Sequence, residues 1–216
     1  MLRTLIAVFV LLAPTVARGS EILDRMAATV NGHALLQSDV EEELRYEFFA
    51  AKRPLSEATD EDQKAALDRL VDQELLREQM HSKDFQPVAA DQVSKAFETF
   101  RSDYGEGSAW TEALMHYDLT EAEIRNHIET ELNQLRLIDL RLRPTIQIDA
   151  DSVRNYYQQQ FLPKLAAGQH LSLQEATPTI RELLIQQKIN DSLESWLEAL
   201  HSQAAIKRFG AGGQAK

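Results

Sequence analysis

A short strand near the start of an otherwise helical chain is the feature that most constrains the fold. The stretch AATVNGHALLQ, residues 27–37, has the pattern of a strand, an Asn-Gly turn and a second short strand before a helix begins. A strand alone would leave its backbone N–H and C=O groups without hydrogen-bond partners. The fold must therefore supply further strands to pair with it.

The partner that the sequence offers lies at the opposite end of the chain. The stretch AAIKRF, residues 204–209, is a second strand candidate, and we expect it to pair with MAATVN, residues 26–31. HALLQ, residues 33–37, is expected to form a third piece at the edge. Pairing across the whole chain would tie its two ends together and give a helical protein an unusually high contact order.

Between these strands, apolar residues recur at helical spacing in seven segments. A capping box formed by Ser38 and Glu41 is predicted to open the first helix, and Thr120 with Glu123 is predicted to open the fifth. The predicted helices span about 38–51, 60–83, 89–103, 108–117, 120–142, 149–161 and 176–202. The fifth carries the clearest apolar stripe: Ile124, Ile128, Leu132, Leu135, Ile138 and Leu142. The fold class is therefore mainly α, with a small β element that pairs the N- and C-terminal strands.

The first 19 residues have the pattern of a secretion signal. Arg3 provides a positive charge, residues 5–12 are uniformly apolar, and Pro14 then interrupts the segment before small residues. The apolar run is too short to span a bilayer as a helix. We expect a periplasmic protein with one helical domain over residues 20–209, completed by the C-terminal helix and strand at about 176–209, and a flexible tail over 210–216. Because the chain has no cysteine, a lipid anchor is excluded, and no stable membrane anchor is expected after cleavage.

Composition excludes several classes of function. The absence of cysteine excludes disulfides, thiolate zinc sites and a cysteine nucleophile. The formal net charge is −11, and cleavage of the signal would remove Arg3 and Arg18 and make it more negative. An acidic surface repels phosphate backbones, so no nucleic-acid partner is expected.

No arrangement of side chains indicates catalysis or a cofactor. The six histidines show no metal-binding spacing, and His116 and His127 are expected to be solvated or to cap helices. The acidic runs DVEEEL, ATDED and ETEL are interpreted as solvated helix faces. Neither a calcium loop, a phosphate-binding glycine loop nor a serine nucleophile elbow is present in the sequence. We expect neither a metal nor another cofactor.

A cluster of aromatic residues permits two interpretations. Phe97 and Phe100 have the spacing of ordinary core residues. The residues beside the glycine-rich break could instead line an apolar groove that binds many partners, as exposed aromatic and methionine side chains do. The residues proposed to contact such a partner are Tyr104, Trp110, Met115 and Tyr117.

The chain resembles the SurA-type periplasmic chaperones, which assist the folding of outer-membrane and secreted proteins. Four segments carry the resemblance, and together they span about residues 22–209. They are ILDRMAATVNGHALLQSDVEEELR, ALDRLVDQELLREQM, IQIDADSVRNYY and LLIQQKINDSLESWLEALHSQAAIKRF. In that family an N-terminal helical domain is completed by a C-terminal helix and strand, and parvulin prolyl-isomerase domains are inserted after the Tyr-Tyr segment.

This chain has no room for such an insertion. Only about twenty residues separate Tyr157 from Ile180, whereas an independent domain needs about 50. The resemblance therefore implies a chaperone module without the isomerase. The expected function is a holdase that binds unfolded or nascent exported polypeptides, including outer-membrane proteins, in an apolar helical cradle. The alternatives are a dedicated adaptor or structural partner of an exported complex and a prolyl isomerase.

Overall fold

The computed structural model describes residues 24–105, 107–165 and 171–210. The expected signal segment lies outside the described residues, as does all but the first residue of the expected C-terminal tail. The proposed domain limits stay a prediction.

Seven α-helices and three short strands form the described part of the chain, which confirms the mainly α fold class. The strands are β1 (Met26–Val30), β2 (His33–Leu36) and β3 (Ile206–Arg208). The helices are α1 (Gln37–Ala50), α2 (Asp60–Gln79), α3 (Ala90–Ser102), α4 (Ala109–Tyr117), α5 (Glu121–Leu142), α6 (Ala150–Tyr156) and α7 (Leu173–Gln203). A π-helical turn at Tyr157–Phe161 follows α6.

The three strands form one antiparallel sheet in the order β2-β1-β3, as the sequence predicted. β1 is the central strand, and its residue Ala28 faces Arg208 while Val30 faces Ile206. The turn between β1 and β2 uses positive φ angles at Asn31 (50°) and Gly32 (92°), the conformation that an Asn-Gly pair adopts at low cost. Both ends of the described chain therefore meet in one sheet.

The start of α1 differs from the prediction, because Ser38 does not cap the helix. β2 runs directly into α1, and the carboxylate of Asp39 accepts a hydrogen bond from the backbone N–H of Leu36 at 2.7 Å. The Ser38 hydroxyl donates instead to the carboxylate of Asp24. The helix thus begins one residue earlier than predicted, because the acidic side chain in its first turn binds the preceding backbone.

Three later helices begin at capping boxes. Thr59 caps α2 with Asp62, Thr120 caps α5 with Glu123 as predicted, and Ser172 caps α7 with Glu175. α7 begins at Leu173, three residues before the predicted start, and it includes Pro178.

The apolar stripe of α5 also departs from the prediction in its second half. Ile124, Ile128 and Leu142 are buried as expected, but Leu135 is 56% exposed and Leu137 is buried in its place. The reason is a change of partner along the helix. Its first half packs in the aromatic core with α1 and α3, whereas Leu137 packs against Leu76 of α2 and a half-buried set of α7 residues.

Candidate functional site

The aromatic residues predicted to bind a partner form, for the most part, the core of the N-terminal helices. Trp110 is only 3% exposed and Tyr117 8% exposed, and both rings pack edge-on against Phe49. The indole N–H of Trp110 donates to Glu121 Oε1 at 2.7 Å, and the Tyr117 hydroxyl donates to the backbone carbonyl of Arg53 at 2.8 Å. A bound chain cannot touch these rings while the core is closed.

The other two predicted residues lie closer to the surface. Tyr104 is half-buried, stacks on Phe49 at 4.5 Å between ring centroids, and donates its hydroxyl to the Phe49 carbonyl at 2.6 Å. Burial raises the pKa of the Tyr104 phenol well above its ordinary value. Met115 is 77% exposed, so of the four it is the side chain fully available to a partner. Contact with a client stays a prediction, and Met115 is the residue at which it can be tested directly.

Two exposed leucines of α5, Leu135 and Leu140, each line a cavity that also includes residues of α7. Leu135, Ile138, Ile189 and Leu193 are the apolar residues that line a cavity of about 270 Å³, which we call the α5–α7 groove. Leu140 is 50% exposed and, with Leu137 and Trp196, lines a second cavity of about 410 Å³ beside it. Both cavities combine apolar side chains with polar ones, among them Asp139 and Asn190 in the first and Asp84 and Arg141 in the second.

A second groove lies between β2, α1, α2 and α5, and its walls are acidic. It consists of two adjoining cavities of about 310 and 300 Å³ that share Leu35, Leu70, Gln73 and Thr130. We call them together the acidic groove. The remaining lining residues are His33, Asp39, Glu42, Glu43, Asn126 and His127 in the first cavity and Glu74, Arg77, Met80, Asn133 and Gln134 in the second.

Two side chains of the acidic groove are less exposed than predicted: Glu43 was expected on a solvated helix face, and His127 was expected to be solvated or to cap a helix. Glu43 is 4% exposed although it belongs to the acidic run DVEEEL. Its Oε1 accepts from Gln73 at 3.3 Å and lies 3.5 Å from Arg69 Nε. The His127 side chain is 15% exposed, and its ring stacks on Tyr46 with centroids 3.9 Å apart. Both residues follow a buried residue, Val40 or Ile124, by three positions, and this spacing could have indicated burial.

The electrostatics of the acidic groove reflect this crowding of carboxylates. Burial, and next the negative charge of Glu123, raise the pKa of the Glu42 carboxyl. Burial lowers the pKa of the His127 imidazole, although the nearby carboxylates of Glu43 and Glu123 oppose the shift. The groove therefore holds a neutral imidazole among carboxylates at neutral pH.

Within residues 24–105, 107–165 and 171–210, no group of three potential ligand side chains is placed to hold a metal ion. None of the helices in these ranges is long and apolar enough to cross a membrane.

Comparison with known proteins supports the fold. No family model matches the chain, and no curated protein sequence matches it. Among solved structures the chain is similar to a SurA-like chaperone of Campylobacter jejuni, from the structurally related pair of the virulence factor PEB4 and the periplasmic protein Cj1289. The TM-score is 0.51 and the sequence identity 10%, over 87% of this chain and 100% of that chain. The fold is therefore SurA-like.

Proposed function

We propose that the protein is a chaperone of the holdase type, which binds unfolded exported polypeptides, including outer-membrane proteins, without catalysis. The observation that carries this proposal is the exposure of Leu135 and Leu140 beside two cavities on a SurA-like fold. Large apolar side chains that stay exposed around a concavity are typical of surfaces that bind other chains.

The size of this surface suits weak and reversible binding. Full burial of one leucine contributes about 1.5–3 kcal/mol, and Leu135 and Leu140 are each already about half-buried, so each has about half of that to offer a bound segment. The half-buried side chains of Ile138, Leu193 and Trp196 extend the contact. Binding of this strength would keep an extended client from aggregating and still permit release.

We place this activity in the periplasm. The expected secretion signal at residues 1–19 supports this location, and one of the structurally similar pair is described as a periplasmic protein. A strongly acidic chain suits transient contact with many unfolded proteins, because net charge keeps the complex soluble.

The proposal is tested by thermal aggregation of an unfolded outer-membrane protein in the presence of increasing amounts of this chain. The full chain should suppress light scattering, and the double variant Leu135→Ser/Leu140→Ser should suppress it less at equal stability. Leu162→Ser is the matched control, since Leu162 is 42% exposed but does not line either of the cavities beside Leu135 and Leu140. Equal suppression by the two variants would contradict the assignment of the surface, and no suppression by the full chain would contradict the function.

The two alternative functions make different predictions in simple assays. A dedicated adaptor would co-purify with a single stoichiometric partner, whereas a holdase would co-purify with many unrelated exported proteins. A prolyl isomerase would accelerate cis-trans exchange in a protease-coupled peptide assay. We expect many partners and no acceleration.

A further inference from the structure

We propose that the acidic groove binds a cationic side chain, that of arginine or lysine, from an extended polypeptide. This inference rests on the proposed holdase function and adds a second element of recognition to it. The apolar surface beside α7 would hold hydrophobic parts of a client, and the acidic groove would select segments that carry a positive charge.

The first observation is a buried carboxylate oxygen of the groove that accepts no hydrogen bond from the described residues. Glu43 is 96% buried and lines the first cavity, yet its Oε2 has no hydrogen-bond partner among the described residues. His127 Nδ1 lies 3.6 Å from this oxygen, which is beyond hydrogen-bond distance, and it forms an ion pair with Glu43 only when the imidazole is protonated. A buried carboxylate oxygen costs free energy when it is unpaired, and a cation that reaches it recovers that cost.

The second observation is that, among the described residues, no side chain with a permanent positive charge lines the first cavity. Its lining includes the carboxylates of Asp39, Glu42 and Glu43, and among the described residues no lysine or arginine lines it. Arg69 approaches Glu43 from the Oε1 side and is shared with Glu47. In the second cavity, Glu74 is already held by Arg77 through two contacts of 2.6 Å. The negative charge of the first cavity is therefore available to a bound partner.

The third observation concerns shape and wall chemistry. The two adjoining cavities together have the size of a small ligand site, and Leu35 and Leu70 form apolar walls common to both. A lysine or arginine side chain buries its aliphatic stem against apolar walls and places its charged end among acceptors. Arginine can also donate two parallel N–H groups to a single carboxylate, such as that of Glu42 or Glu43.

The test is a binding measurement with two labelled peptides on the full chain. Both peptides are short, extended and rich in aromatic residues; one carries a single central arginine and the other carries citrulline, its neutral isostere, at the same position. We expect fluorescence anisotropy to show about tenfold tighter binding of the arginine peptide, and this preference to weaken with salt. Glu43→Gln and Glu42→Gln should remove the preference, while Glu41→Gln, an exposed change on the same helix, should keep it.

The possible outcomes separate this inference from the function on which it rests. If both peptides bind equally, the cationic site is refuted while the holdase function stands. If neither peptide binds, both are refuted. If spermidine binds in a Glu43-dependent way but the arginine peptide does not, the groove serves a small polyamine and the polypeptide occupant is wrong. Should Glu43→Gln fail to fold, Glu42→Gln alone decides, because Glu42 is only partly buried.

Discussion

Asn31 and Ala205, 174 positions apart in the chain, are joined by two hydrogen bonds. The backbone N–H of Asn31 donates to the Ala205 carbonyl at 3.1 Å, and the Ala205 N–H donates to the Asn31 side-chain oxygen at 2.8 Å. This pair sits where the hairpin turn meets the strand that follows α7. It links the two ends of the described chain and makes the C-terminal segment a structural part of the N-terminal sheet.

Deletion of residues 203–216 should therefore cost far more stability than a change at a frayed end. The deletion removes β3, and with it the pairing partners of Ala28, Thr29 and Val30. We expect the free energy of unfolding to fall by about 3 kcal/mol or more, from lost apolar burial and lost strand pairing. Thermal unfolding followed by circular dichroism measures the effect. Deletion of residues 211–216 is the control and should leave the melting temperature unchanged; equal melting of both truncations would contradict the closure.

Replacement of Asn31 by glycine isolates the side-chain part of this link. Asn31 has a φ angle of 50°, which glycine adopts easily, so Asn31→Gly adds no backbone strain. The substitution removes the side-chain acceptor for the Ala205 N–H and the side-chain donor to Glu78. We expect the free energy of unfolding, measured by chemical denaturation, to fall by about 1–2 kcal/mol. Asp118→Gly is the matched control, because Asp118 also has a positive φ angle, at the end of α4. It should be neutral or slightly stabilising.

Trp110 and Met115 should respond to substitution in opposite ways. Trp110→Ala removes a buried ring from the aromatic core and should cost about 3–5 kcal/mol of stability. Met115→Ala changes an exposed side chain, so its effect on stability should stay within about 0.5 kcal/mol. Any loss of client binding in Met115→Ala would then be a direct effect. If Trp110→Ala melts like the parent chain, its placement in the core is wrong.

Local signals in the sequence were sufficient for much of the fold. The Asn-Gly turn identified β1 and β2, and the Thr120–Glu123 capping box marked the start of α5. These features depend on residues within a few positions of one another, so their chemistry is visible in a short window. The pairing of β1 with β3 could also be predicted, because a strand in a helical chain requires a partner and few candidates exist.

Features that depend on distant contacts could not be predicted in the same way. The periodicity of α5 shows which residues share a face, but not which face α7 will cover, and so Leu135 was predicted to be buried in place of Leu137. Ser38 has the sequence context of a helix cap, yet its hydroxyl donates a hydrogen bond to Asp24. Glu43 looks like part of a solvated acidic run; its spacing from Val40 hints at the buried face, but its partners Gln73 and Arg69 come from α2 and are not visible in that window.

His127 should make the stability of the protein depend on pH. Its pKa is lowered in the folded state by burial, so the folded protein binds the proton more weakly than the unfolded chain does. The contribution of His127 to stability is therefore fully present above its ordinary pKa of 6.5 and is lost as the pH falls through the lowered value. The groups that face its ring are Glu42, Glu43 and Tyr46 from α1 and Glu123 from α5.

The Glu42 carboxyl affects the pH dependence of stability in the opposite direction to His127, because its raised pKa favours protonation in the folded state. Its contribution to stability therefore increases as the pH falls through the raised value. We expect the free energy of unfolding to be level above pH 6.5 and to decline just below it, as measured by chemical denaturation at several pH values. His127→Gln should remove this decline, whereas His116→Gln, an exposed histidine, should retain it. A decline of equal slope in the His127 variant would show that another group is responsible.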